Sequence, residues 1–175
     1  AAGTNHTCAL RGTGELWCWG ANNTGQAGLG AATPIKVPTQ VGSFTDWTNL
    51  TVGEAHTCAR RGTTLYCWGS GANGRLGFGN TSNVTTPTAL SGTWSDVSAG
   101  YSHTCAVNTQ SQLFCWGENN NNQLGLVPTT QVTSPARIGG DSAWSEVSAG
   151  YYHSCGRQGG QMYCWGLNSV GQVGN

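Results

Sequence analysis

Eight cysteines and four histidines are the residues of this chain with the most chemistry open to them, and both recur at fixed spacing. The cysteines fall into pairs nine or ten residues apart: Cys8 and Cys18, Cys58 and Cys67, Cys105 and Cys115, Cys155 and Cys164. A histidine stands two residues before the first cysteine of each pair, at His6, His56, His103 and His153. Regular Cys and His clusters suggest zinc in a reducing compartment, whereas even-numbered pairs suggest disulfides in an oxidising one. A zinc site of this kind needs short Cys-x-x-Cys knuckles, and the sequence has none, so disulfides are favoured. Four equivalent imidazoles pointing into one channel could ring a metal. The simpler expectation is that each histidine hydrogen-bonds backbone within its own repeat, with no metal and no cofactor.

The remaining polar chemistry is thin. The seven acidic residues are scattered, and the sequence shows no nucleophile–base arrangement of a catalytic kind. Asn49, Asp96 and Glu146 occupy equivalent places, which reads as a structural cap or turn acceptor rather than a catalytic pair. An enzyme is not expected, although carboxylates from separate repeats could in principle meet. Asn-x-Ser/Thr sequons occur at Asn5, Asn22, Asn49, Asn80 and Asn83. Asn80 and Asn83 lie in a polar connector and are the expected glycan sites. Asn22, in a turn, is a third candidate, while Asn5 and Asn49 flank or enter strands.

The elements that must position these residues repeat with the same period. The second cysteines of the pairs are spaced by 49, 48 and 49 residues, the mark of a repeat architecture. A strand of the form Trp-x-x-aliphatic opens the units at Trp47, Trp94 and Trp144, and each ends in glycine. A hairpin follows. Alternation places His6, Cys8 and Leu10 on one face of its first strand, and Leu16, Cys18 and Gly20 on one face of the return strand. Cysteines so placed face each other across the hairpin within disulfide range, which predicts Cys8–Cys18, Cys58–Cys67, Cys105–Cys115 and Cys155–Cys164. A turn then carries Gly25, Gly74, Asn122 and Gly171 in equivalent places. Asparagine is the ordinary residue that best tolerates a left-handed backbone, so a positive φ is expected there. The connectors share Pro38-Thr-Gln-Val41, Pro87-Thr-Ala-Leu90 and Pro135-Ala-Arg-Ile138, read as short edge strands where a missing N–H matters least. No apolar stripe of helical period persists. About four short strands per repeat suit a propeller blade.

These residues resemble the regulator of chromosome condensation repeat, whose pattern is a His-Ser/Thr strand, a return strand ending Trp-Gly, and then Asn-x-x-Gly-Gln-Leu-Gly. The first copy has His6-Thr7, Trp19-Gly20, Asn22 and Gly25-Gln26-Ala27-Gly28. The third has His103-Thr104, Trp116-Gly117, Asn119 and Asn122-Gln123-Leu124-Gly125. The fourth has His153-Ser154, Trp165-Gly166, Asn168 and Gly171-Gln172-Val173-Gly174. The second departs most, with Gly71 in the Asn place and Arg75 in the Gln place. The resemblance implies a propeller scaffold whose function sits on variable loops. Family members include a nuclear exchange factor, a β-lactamase inhibitor, and ubiquitin-ligase and receptor domains. The paired cysteines depart from the common pattern and point to an extracellular branch. Propellers of the family usually close with seven blades, whereas four hairpins are present here.

The expectation is therefore an all-β fold of β-propeller-type blades from four repeats of about 49 residues, each hairpin stapled by a disulfide. It forms one repeat domain over residues 1–175, with repeat cores at about 1–30, 51–79, 98–126 and 148–175. The propeller or solenoid is expected to be partial, its missing strands supplied by another chain or by sequence beyond this segment. Seven basic residues against seven acidic ones give no footprint for nucleic acid and no polybasic membrane signal. No apolar run is long enough for a membrane-spanning helix. The functional expectation is a non-enzymatic extracellular glycoprotein, structural or adhesive, at the cell surface. Its expected partners are proteins, copies of itself among them, and its assembly a filament. The alternative is a secreted or receptor-ectodomain binding module.

Overall fold

The computed structural model describes residues 1–127 and 130–174, so Asn175, the last residue of the expected fourth repeat core, lies outside the described residues. Among the described residues, fourteen strands form four antiparallel sheets. The first sheet contains β1 (His6–Arg11), β2 (Glu15–Gly20) and β3 (Ile35–Gln40). The second contains β4 (Trp47–Val52), β5 (His56–Arg61), β6 (Thr64–Gly69) and β7 (Val84–Leu90). The third contains β8 (Trp94–Ala99), β9 (His103–Asn108), β10 (Leu113–Glu118) and β11 (Gln131–Arg137), and the fourth β12 (Trp144–Ala149), β13 (His153–Gln158) and β14 (Gln161–Gly166). Within each sheet the strands follow chain order. The Trp-x-x-aliphatic strands β4, β8 and β12 form one edge, and the proline strands β3, β7 and β11 the other. Among the described residues the only helical element is a 3-10 turn, Ala72–Gly74.

Each hairpin register places the cysteines directly opposite one another: Cys8↔Cys18, Cys58↔Cys67, Cys105↔Cys115 and Cys155↔Cys164. The ladder from each return strand to its proline strand shifts at the tryptophan of Trp-Gly, at Trp19, Trp68 and Trp116. A shift there turns the indole out of its own sheet and toward the neighbouring repeat.

The apolar core is not inside the sheets but between them. Cys8, Leu16, Cys18, Ala27 and Val41 of the first repeat pack with Trp47, Ala59 and Trp68 of the second. The same arrangement recurs with Cys58, Leu65, Cys67, Leu76 and Leu90 against Trp94, Val97, Ala106 and Trp116. It recurs again with Cys105, Leu113, Cys115 and Leu124 against Trp144 and Val147. A single blade has only three or four strands and cannot bury its face alone, so stacking is what makes a core.

Candidate functional site

All eight cysteines are paired, as Cys8–Cys18, Cys58–Cys67, Cys105–Cys115 and Cys155–Cys164, with Cα–Cα distances of 4.1 to 4.2 Å. The first three pairs are fully buried. They sit at the junctions, where Cys8 Sγ meets the hydroxyl of Thr57 at 4.0 Å and Cys105 Sγ meets that of Ser154 at 3.7 Å. Closing so short a loop stabilises the fold by about 2–3 kcal/mol per bridge in the chain-entropy model.

The histidines reach forward rather than inward. His6 Nε2 lies 2.9 Å from the Thr57 hydroxyl, His56 Nε2 3.0 Å from that of Thr104, and His103 Nε2 2.9 Å from that of Ser154. The expected backbone partner within the same repeat is thereby corrected: the ring bonds the next repeat. Each of those hydroxyls in turn donates to a carbonyl of the preceding repeat, Thr57 to Gln26 (2.9 Å), Thr104 to Arg75 (2.8 Å) and Ser154 to Gln123 (2.8 Å). The same carbonyls also accept the indole N–H of Trp68, Trp116 and Trp165 at 3.1, 2.9 and 3.0 Å. A hydroxyl has one proton, and it goes to the carbonyl, so Nε2 must donate to the hydroxyl oxygen. Nδ1 of His6, His56 and His103 is then a bare acceptor, buried without a hydrogen-bond partner. It faces the backbone of the glycine that ends each inner strand. A Cβ on Gly100 would collide with the His103 ring and the Gly150 carbonyl, so only glycine fits this row.

A second proton on such a ring would enter a dry site with no acceptor. Burial accordingly lowers the pKa of His6 and of His103 to about 4, the charge of His153 adding to the effect at His103. His56 lies well below 6.5, first through burial, then through Arg75 and the neighbouring histidines. These rings form junctions, and their Nε2 atoms are already engaged. Among the described residues no group of three or more His, Cys, Asp or Glu is placed to hold a metal ion.

The acidic series bridges repeats as well. Asp96 accepts from Asn49 Nδ2 at 2.5 Å and from the Val147 backbone N–H at 2.8 Å. Thr51 and Ser98 hydroxyls accept the backbone N–H of Ala99 and Ala149, each at 2.9 Å. Arg75, in the Gln place of the second repeat, is buried and pairs with Glu54 at 3.1 Å. Beside Glu54, on the rim where β4, β8 and β12 end, Tyr101 stacks on Tyr151 with centroids 4.0 Å apart. The turn position behaves as expected: φ is 86° at Gly25, 76° at Gly74, 59° at Asn122 and 84° at Gly171.

The sequons separate by exposure. Asn80 and Asn83 are exposed in the connector before β7. Asn22 is corrected: it is fully buried, its Nδ2 donating to the Ala31 carbonyl and its Oδ1 accepting from Ala27 N–H at 2.9 Å. That amide has no room for a glycan. Its equivalence to Asn119, which makes the same bond to Leu124 N–H at 2.9 Å, was the signal that it belongs to the scaffold. Where the second repeat has Gly71 instead, Asn83 reaches back and accepts the Gly71 N–H at 3.0 Å. Asn5, set aside as flanking a strand, is exposed just before β1.

Disulfide-stapled antiparallel blades, joined by a His–hydroxyl–carbonyl–indole relay, define a β-propeller repeat scaffold. The family model described as the regulator of chromosome condensation (RCC1) repeat matches residues 64–107 and 110–156. A second model with that description matches residues 1–26, 94–123 and 144–172, and the chain belongs to the RCC1 repeat family. The crystal structure of human WBSCR16 is similar at 23% identity and a TM-score of 0.84, covering 94% of this chain and 46% of that one. Yeast RCC1 (Prp20), crystallised bound to Kap60, gives 22% identity and a TM-score of 0.83 over 99% of this chain and 44% of that one. The ectodomain of the Physcomitrella patens receptor kinase CR4 gives 20% identity and 0.55 over 94% and 39%. The chain thus spans less than half the length of these solved structures, and at such identities the likeness is one of fold.

Proposed function

We propose that this chain is a non-enzymatic extracellular glycoprotein segment of structural or adhesive type, working through contacts with other proteins and carrying N-linked glycan on Asn80 or Asn83. The observation that carries the reading is the placement of the disulfides. One staples every repeat, and three lie fully buried at the junctions between blades. Such a core needs an oxidising compartment to form and persist. Protein contact is supported by the scaffold and by its surface. Yeast Prp20 was crystallised with Kap60, and the surface here exposes Val37 and Phe44. Sparse charge and Thr- and Asn-rich connectors suit a glycan-covered surface.

The test is membrane-impermeant biotinylation of intact source cells, followed by intact-glycopeptide analysis of labelled and secreted material. The expected result is recovery in those fractions with glycan on the Asn80–Asn83 connector. Recovery in the cytosolic fraction with reduced thiols contradicts the reading.

A further inference from the structure

The geometry points to a groove between the first and second blades that binds a proline-rich segment of another protein in the polyproline II conformation. This rests on the reading above that the chain works through protein contacts, and it names the chemistry of one partner. The groove has a volume of about 320 Å3, and Leu29, Val41, Phe44, Trp47, Tyr66 and Pro87 form most of its wall. None of the side chains lining it is charged. A groove of the same volume recurs between the second and third blades, with Phe78, Leu90, Ser91 and Pro135 in the matching places. The groove is therefore a feature of the internal junctions, with a complete blade edge on either side.

An unused donor sets the first groove apart. Trp47 is 3% exposed, and its indole Nε1 is buried without a hydrogen-bond partner. At the next junction Trp94 donates the same N–H to the Ser91 carbonyl at 3.3 Å. The connectors differ in length: Trp94 stands four residues after Leu90, whereas Trp47 stands six after Val41. Trp144, six residues after Ile138, also has an unpartnered Nε1. The longer first connector instead sets Phe44 edge-on to the Trp47 indole, with centroids 6.5 Å apart, and Tyr66 meets the same indole edge-on at 5.1 Å. Arg61 lies over the Phe44 ring, 3.4 Å from its centroid, and is held by both carboxylate oxygens of Asp46 at 2.7 and 3.1 Å. With that guanidinium neutralised, the seat suits an uncharged ligand.

These properties select the occupant. A buried donor without an acceptor destabilises the fold, and a ligand carbonyl at Nε1 removes that loss. The Ser91 carbonyl shows a backbone group in this role at the sister junction. Ordinary peptide would also bury N–H groups against apolar walls, whereas proline brings a carbonyl and no N–H. The polyproline II helix leaves its carbonyls free of internal bonds, and aromatic-lined grooves are how such segments are recognised. An added β-strand fits poorly. Pro87 on the outer strand β7 has no N–H, and the Thr85 and Thr86 carbonyls already accept from the Gly30 N–H and the Thr88 hydroxyl, each at 3.0 Å. A volume of about 320 Å3 is at the lower bound for enclosing a whole small ligand, and the rim is exposed at Phe44 and Thr86. It suits part of a longer chain passing through. Phe44, 50% exposed, turns outward on entry and uncovers Nε1.

The test titrates the intact chain with acetylated, amidated decaproline, with a Gly-Ser peptide of equal length as control. Indole N–H signals are followed by 15N NMR after triple-resonance assignment. Saturable 1:1 binding is expected with a Kd below about 1 mM. The Trp47 indole N–H should move downfield and exchange more slowly, while that of Trp94 stays in place. Thr86→Arg, an exposed position on the rim, should weaken binding at least about tenfold with unchanged far-UV circular dichroism. No saturable binding, equal binding of the Gly-Ser peptide, or binding that leaves the Trp47 indole unmoved overturns the proposal, as does a folded Thr86→Arg chain that binds as before. Failure here leaves the compartment and glycan outcome of the preceding test intact, so the two readings fall separately.

Discussion

His103 shows how one residue ties two repeats and sets a pH dependence. Its Nε2 proton is committed to Ser154, and its Nδ1 is buried against glycine with no partner. The folded state holds the neutral ring, with a pKa near 4 against 6.5 for the unperturbed side chain. The sign follows from proton linkage: below pH 6.5 the unfolded chain binds protons that the folded chain does not. Stability is therefore fully present above about pH 6.5 and is lost as pH falls toward about 4, with His6 acting in the same direction. Urea midpoints measured across that range should decline with acid, and a flat profile would contradict neutral buried rings. At this scale the cysteines were legible, because spacing and strand alternation together fix which face each one takes. The histidine partner was not. Alternation says that His6 points inward with Cys8, but the hydroxyl it meets is Thr57, 51 residues away, and no local pattern encodes that. Asn22 was misread for a related reason, since a sequon describes the acceptor and not its burial.

The turn after Trp-Gly is the element on which the stacking of blades depends. It brings the Gln26, Arg75 and Gln123 carbonyls under the indole of the following repeat. Its positive φ was readable from glycine and asparagine interchanging at one place. Asn122 is exposed with φ 59°, which makes it the position where backbone strain can be measured without disturbing packing. Asn122→Gly should leave stability unchanged or slightly raised, and Asn122→Val should cost about 1–2 kcal/mol in chemical denaturation. Equal effects of the two would argue against a left-handed turn. The proline strands β3, β7 and β11 are outer edges, as the missing N–H of Pro38, Pro87 and Pro135 required. The inner-strand glycines were visible as a column, but not their cause. The cause is the carbonyl of the next glycine, Gly53 over Gly3 and Gly150 over Gly100, which comes from another repeat.

For the whole molecule, the repeat period disclosed the architecture because each blade obeys the same local rules. What it could not disclose is that the core lies between blades, so the first three disulfides are also parts of junctions. That placement joins fold to compartment. A reducing environment would open loops of nine and ten residues and loosen the surfaces on which neighbouring blades stack. The first three staples, each covered by a following blade, are fully buried, and Cys155–Cys164 is half-buried. The measurement that tests this most directly is peptide mapping of natively purified protein without reduction. It should recover four bridges, Cys8–Cys18, Cys58–Cys67, Cys105–Cys115 and Cys155–Cys164, and no alkylated cysteine. A bridge between repeats would contradict the junction geometry, and free thiols in the native material would contradict the extracellular location proposed from it.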